Sequence, residues 1–229
     1  MLVFCYDRVR DLAEVRRSLS FHDALQLLTI ERHLGINREL PVNLWLAAHQ
    51  SLAELASWYY QVAHLTVTLL VLLGCYVYWP EIYRAARNAL VLINVIGLAV
   101  FWVYPVAPPR LLPGRAFIDV TEVTGVADST NTSAPNPYAA MPSLHTAWAV
   151  WVALVVLLMV RVWWVRLLCV LYPLLTVAVI VSTGNHYVLD AVAGAAVALV
   201  AAVTVGLLPR HRRPTAVPVR PGSEYARAT

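Results

Sequence analysis

Apolar and charged positions recur at helical spacing over the first part of the chain, then give way to long uncharged runs. Residues 1–40 are polar and helical in pattern, with Arg8, Arg10, Arg16 and Arg17 near the start. Over residues 20–36, Leu25 and Leu28 keep helical spacing beside Asp23, Glu31, Arg32 and His33. That stretch is too charged to lie in hydrocarbon and predicts an amphipathic helix at a membrane interface. Pro41, a favourable first helical residue, opens a second helix to about Ser57, with Trp45 and Trp58 as interfacial anchors.

From Tyr59 onward five runs read as membrane crossings: 59–79, 88–109, 144–160, 167–181 and 191–208. Lengths of this order suit a hydrocarbon layer ~30 Å thick. The fold class predicted is all-α, a polytopic transmembrane bundle with five clear spans. Residues 1–57 form N-terminal amphipathic helices, 58–208 the membrane core, and the Arg- and Pro-containing 209–229 a disordered cytoplasmic tail. Alternation of spans puts the polar 105–143 loop and the 182–186 turn on one side. Arg84, Arg87, Arg161, Arg166 and the tail arginines fall on the other. The excess of Arg marks the cytoplasmic face, so the polar loop faces outward from the cell membrane. The N-terminal arginines favour the cytoplasm as well, which requires a sixth crossing between residues 18 and 57.

Composition supports this picture: 60% of residues are hydrophobic and 13% charged, and the mean hydropathy is +0.65. The length of 229 residues suits one domain of several spans. All 17 basic residues are Arg; they are scattered over loops and tails, which fits anionic headgroups and excludes a nucleic-acid partner. Cys5, Cys75 and Cys169 are too far apart for metal or disulfide spacing, and no cleavable signal peptide is visible. Asn131-Thr132-Ser133 matches a glycosylation sequon, a match common by chance.

Three polar elements flank the spans on the outer side: Tyr104 to Arg110, Met141-Pro142-Ser143-Leu144-His145, and Ser182 to Asp190. His186 and Asp190 are four residues apart, one turn on a helix face. A carboxylate so placed fixes the imidazole tautomer through Nδ1 and leaves Nε2 free. Gly184 permits a tight turn whose amides favour an anion. Ionisable groups at such a depth are costly, and they point to function. The chemistry that suits them is phosphoryl transfer. His186 attacks phosphorus, Asp190 stabilises the imidazolium, His145 is general acid and base, and Arg110, Ser143 and Gly184 hold phosphate. Each has a plain structural alternative: an interfacial anchor for Arg110, a helix N-cap for Ser143, a helix bridge for His145, a polar cap for the His186–Asp190 pair.

Pro-Ser-Leu-His followed about forty residues later by Gly-Asn-His-Tyr-Val-Leu-Asp resembles the second and third motifs of the type 2 phosphatidic acid phosphatase superfamily. The flanking Tyr-Pro-Val-Ala-Pro-Pro-Arg and Asn-Pro-Tyr-Ala-Ala-Met-Pro-Ser-Leu-His are similar to its inositol phosphorylceramide synthase-related branch, in an actinobacterial-type sequence. The resemblance covers residues 58–208. It implies a bundle of about six helices, catalysis without a metal or other cofactor, His186 as nucleophile, Asp190 as its partner, His145 as acid/base and Ser143 as phosphate ligand. Two departures stand out. The first motif lacks its Lys and keeps only Arg110, and Val179 and Ile180 occupy the places of a Ser-Arg pair. Tyr60, His64 and Asn185 are the candidates to complete the pocket.

Four functions remain distinct on these residues. One is a phosphatase for a lipid phosphate or polyprenyl (di)phosphate. Another is a phosphotransferase passing the group to a lipid or polyol alcohol. The third is a metal site of His145, His186 and Asp190 with His64. The fourth is a lipid carrier without catalysis. A lipid phosphate and membrane lipids are the partners implied.

Overall fold

The computed structural model describes residues 2–126 and 137–208, with side chains from Arg16 onward. The sequon and the tail lie outside them. Every regular element described is helical, and the one β-feature is an isolated parallel bridge between Val106 and Ala139. In chain order the helices are α1 Leu2–Leu34, α2 Glu39–Ala47, α3 Gln50–Tyr78, α4 Pro80–Val103, the short α5 Val120–Val123, α6 Leu144–Met159, α7 Trp163–Ser182 and α8 Val188–Thr204. Three of them, α3, α4 and α7, are long and apolar enough to cross a membrane; α6 and α8 are apolar but shorter, at 16 and 17 residues.

The burial pattern is that of a protein dissolved in lipid. Leu70, Leu73, Leu98, Trp102 and Leu174 are exposed, whereas polar Thr68, Thr176, Ser143 and Asp190 are buried. Water would reward the opposite arrangement, and hydrocarbon rewards this one. On α1, Leu25, Ile30 and Leu34 face outward while Glu31 is fully buried, and α1 is not among the candidate spans.

Helix α6 is the hub, packed against α3, α4, α7 and α8. Trp151, Val152 and Val155 fill its inner face, and Trp151 Nε1 donates to the Ala86 carbonyl at 2.9 Å. Against it α8 presents a stripe of small buried residues, Ala191, Gly194, Ala198 and Ala201, which lets the two backbones approach. At the site end the approach is closest. A Cβ on Gly194 would collide with the Ser143 carbonyl oxygen, and Ser143 N–H donates to Asp190 O at 3.0 Å. The starts of the two motif-bearing helices are therefore clasped directly.

Several boundaries differ from the sequence reading. The helix expected to run from Pro41 to about Ser57 is two helices, broken at Ala48–His49. The first crossing starts earlier, at Gln50, and passes through a π turn over Tyr59–Ala63. The expected 80–87 loop is the first two turns of α4, because Pro80 starts that helix well and Arg84 and Arg87 are accommodated on its exposed surface, Arg87 donating to Asn88 Oδ1. The expected 161–166 linker shrinks to the residues between Met159 and Trp163.

Candidate active site

Three loop segments are stitched together by backbone hydrogen bonds before any side chain is considered. Val106 N–H donates to Tyr138 O (2.9 Å) and Ala140 N–H to Val106 O (3.1 Å), joining the first element to the second. Arg110 N–H donates to Gly184 O at 3.0 Å, and Tyr187 Oη donates to Ala107 O at 2.9 Å, joining the first to the third. Helix α1 closes one flank: Ala107 N–H reaches Ser20 O at 3.0 Å, and Ala24, Leu27 and Leu28 pack with Val106, Leu112, Ala140 and Tyr187.

His186 precedes α8, so its pairing with Asp190 runs across the helix start and not along one helical face. Its Nδ1 has two acceptors, Ala140 O at 2.9 Å and Asp190 Oδ2 at 3.3 Å. The same Asp190 oxygen accepts Tyr187 N–H at 2.9 Å, so this carboxylate both caps α8 and orients the imidazole. With Nδ1 engaged in this way, Nε2 is the nitrogen left for chemistry.

His145, in the first turn of α6, faces His186 with ring centroids 5.5 Å apart. It is positioned by rings: Tyr60 stacks on it at 4.5 Å and 23°, and His64 sits at 4.2 Å. The π turn of α3 carries Tyr60, and His64 begins the α-helical stretch that follows. Among the described residues His145 has no hydrogen-bond partner.

A cavity of about 250 Å³ opens between the two histidines, lined also by Tyr60, Phe101, Arg110 and Asn185. Arg110 reaches it from a 3-10 turn, Pro109–Leu111. Its NH1 donates to Asn185 Oδ1 at 2.7 Å. Its Nε lies 2.7 Å from Asp119 Oδ2, with the N–H angled off the oxygen. Asn185 in turn donates to Thr183 Oγ1 at 3.0 Å.

The structure thus gathers His186, His145, Arg110, Tyr60 and Asn185 around one space, with Asp190 behind His186 and His64 behind His145. Ser143 and Gly184 lie outside the lining. Ser143 is fully buried as the N-cap of α6, its Oγ accepting Thr146 N–H at 3.3 Å. Gly184 adopts a φ of +78°, with Asn43, Ile118 and Arg110 packed where a Cβ would project. A metal held by His145, His186 and Asp190 needs three converging donors, and among the described residues no three His, Cys, Asp or Glu side chains converge so.

Sequence reading missed several supports. Asp119 anchors Arg110 and caps α5, accepting Glu122 N–H at 3.1 Å; the Asp-x-x-Glu spacing signals the cap but not the ion pair. Asn43, fully buried, donates to Ile118 O and Ser182 O, both at 2.9 Å, and so ties α2 to the end of α7. Glu31 and Glu39 accept amides of α8.

Fold and site together define a helical membrane protein whose paired histidines, backed by a carboxylate and an arginine, face one pocket. The chain belongs to the PAP2 superfamily, whose family profile matches residues 25–204. That match begins well before the region in which the motif resemblance was visible. Among solved structures the chain is similar to LpxE of Aquifex aeolicus, at 18% identity and a TM-score of 0.55, over 76% of this chain and 96% of that one. No curated protein matches the chain.

Proposed function

We propose that the protein is an integral membrane phosphatase for a lipid phosphate or a polyprenyl phosphate or diphosphate, working through a phosphohistidine. The observation that carries this reading is the facing of His186 and His145 across a cavity that Arg110 also lines. The Nε2 lone pair of His186 forms a bond to phosphorus as the ester P–O bond breaks, and His145 gives its proton to the departing alkoxide. Water then yields a proton to His145, its oxygen bonds to phosphorus, and the N–P bond breaks to release phosphate. Asp190 and the Ala140 carbonyl hold Nδ1–H throughout, and the carboxylate stabilises the positive imidazole of the intermediate. Arg110 offers its remaining NH2 to the phosphoryl oxygens, its other nitrogens being held by Asn185 and Asp119. Ser143 serves by fixing the first turn of α6, and hence His145. The site faces the extracytoplasmic side of the cell membrane, because Arg84, Arg87, Arg161 and Arg166 mark the opposite end.

A second reading, transfer to an alcohol as in the inositol phosphorylceramide synthase-related branch, draws on the apolar part of the cavity lining. Pro108, Phe101, Ala139 and Leu144 give it apolar walls that suit a lipid alcohol beside the phosphoryl group. One assay separates the two. Purified protein in excess EDTA is given lipid phosphates and diphosphates, with and without polyol and lipid alcohols, and free phosphate is scored against new phosphodiester. Phosphate release that vanishes in His186→Ala supports the phosphatase, and new phosphodiester supports the transferase. No product from any substrate in the panel would sink both.

A further inference from the structure

Glu31 and Glu39 are two buried acids with no place in the chemistry above. They are 0% and 1% exposed, where α1 and α2 meet the start of α8. Glu31 Oε1 accepts Leu189 N–H at 2.7 Å and Glu39 Oε1 accepts Val188 N–H at 3.2 Å. Both amides belong to the first turn of α8, where no intrahelical acceptor exists. Ordinary caps come from within a few residues; these come from 158 and 149 residues away, so they bolt the N-terminal arm to the helix that carries Asp190.

The second oxygen of Glu31 is buried, and it has a partner only if a proton lies between it and the neighbouring Glu39 carboxyl. Two carboxylates sharing one dry site do not both ionise at neutral pH. The groups facing them are Asp190 on α8 and Tyr187 at its cap, and the exposed Arg115 ahead of α5 acts on Tyr187. On their own elements, Arg32, His33 and Arg38 point outward.

We propose that Glu31 and Glu39 share one proton and act as a positioning pair, clamping the first turn of α8 so that Asp190 and His186 keep their register with His145. The inference rests on the catalytic reading of His186 and Asp190. Burial, with the Glu39 carboxyl second, pushes Glu31 up to about 8 from the usual 4.5. The folded protein therefore holds a proton that the unfolded chain releases. Stability from this source is full below about 4.5 and declines as pH rises to about 8, where the folded state also gives the proton up. The pair's own contribution to turnover is lost only at that upper limit, when it becomes doubly charged and repels; the pH dependence of His145 is common to wild type and variants.

The test uses the full chain in detergent. It measures the unfolding midpoint and kcat on a lipid phosphate from about pH 5 to about pH 9 for wild type, Glu31→Gln and Glu31→Ala. Glutamine supplies a permanent N–H donor in place of the shared proton. Glu31→Gln is expected to keep kcat within about twofold at neutral pH, to decline less steeply than wild type above about pH 8, and to flatten the fall of the midpoint. Glu31→Ala is expected to lose about ten- to a hundredfold in kcat with KM within about twofold. Superimposable pH series for wild type and Glu31→Gln would overturn the proposal, as would a folded Glu31→Ala with wild-type kcat. If Glu31→Ala fails to fold, the Glu31→Gln series still decides. The unfolding midpoint needs no substrate, so a wild type inactive on lipid phosphates sinks the proposed function while the shared proton is still tested.

Discussion

His186 and His145 face one cavity but are held in opposite ways. His186 is 5% exposed, and its Nδ1 is fixed by a backbone carbonyl and a buried carboxylate. His145 is half-buried and held by the rings of Tyr60 and His64. Hydrogen bonds fix direction and tautomer; ring contacts fix position but leave both nitrogens free to exchange protons. A nucleophile needs the first kind of support, and an acid that becomes a base between two half-reactions needs the second.

The contrast is most directly broken at His186, the proposed nucleophile. His186→Ala is expected to lower kcat about 10⁴-fold or more, whatever the leaving group, and to abolish ³²P trapping on the protein. His145→Ala is expected to cost about 10²–10⁴-fold on alkyl esters but far less in the first step with a p-nitrophenyl ester, whose leaving group needs no proton. An equal loss on both esters would remove His145 from the acid role.

Gly194→Ala tests the clasp that sets the distance between the two rings. Forcing a Cβ against the Ser143 carbonyl is expected to destabilise the protein by about 1–3 kcal/mol and to lower kcat about 10²-fold, read by unfolding midpoint and initial rates. Asp190→Asn keeps a cap for Tyr187 N–H while removing the charge. Because Ala140 O is the nearer acceptor, the ring stays oriented, and kcat is expected to fall about ten- to a hundredfold with KM little changed. Tyr60→Phe preserves the stack on His145 and is expected to leave kcat within about threefold, whereas Tyr60→Leu loses about tenfold. If Tyr60→Phe were as damaging as Tyr60→Leu, the hydroxyl, and not the ring, would be the working part.

The spans and the two histidine motifs were legible because lipid imposes uninterrupted apolar runs and because His186 and Asp190 are close in sequence. The boundaries of α4 were harder, since Arg84 and Arg87 look like loop residues until Pro80 is seen to start a helix around them. The supports of the site were legible only in the Asp-x-x-Glu cap at Asp119. Glu31, Glu39, Asn43 and Asp119 each work through a partner that no local spacing announces, and charge on α1 argued only for an interface. Ser143 was open to two readings from sequence. Its cap geometry is now visible, because the bond from Oγ runs to the amide of its own helix.

The two helices that carry the motifs are apolar but shorter than the three long enough to cross a membrane. At 1.5 Å per residue, the 16 residues of α6 and 17 of α8 reach about 24–26 Å, against about 36 Å for the 24 residues of α4. Set in a hydrocarbon layer ~30 Å thick, they leave a mismatch of several ångströms. A helix this short is met by a locally thinner bilayer or by flanking residues that snorkel to the interface, and either one brings headgroups nearer the site than the long α4 does. On the proposed function, acyl-chain length in the surrounding lipid is expected to act on turnover, with higher initial rates in short-chain than in long-chain vesicles.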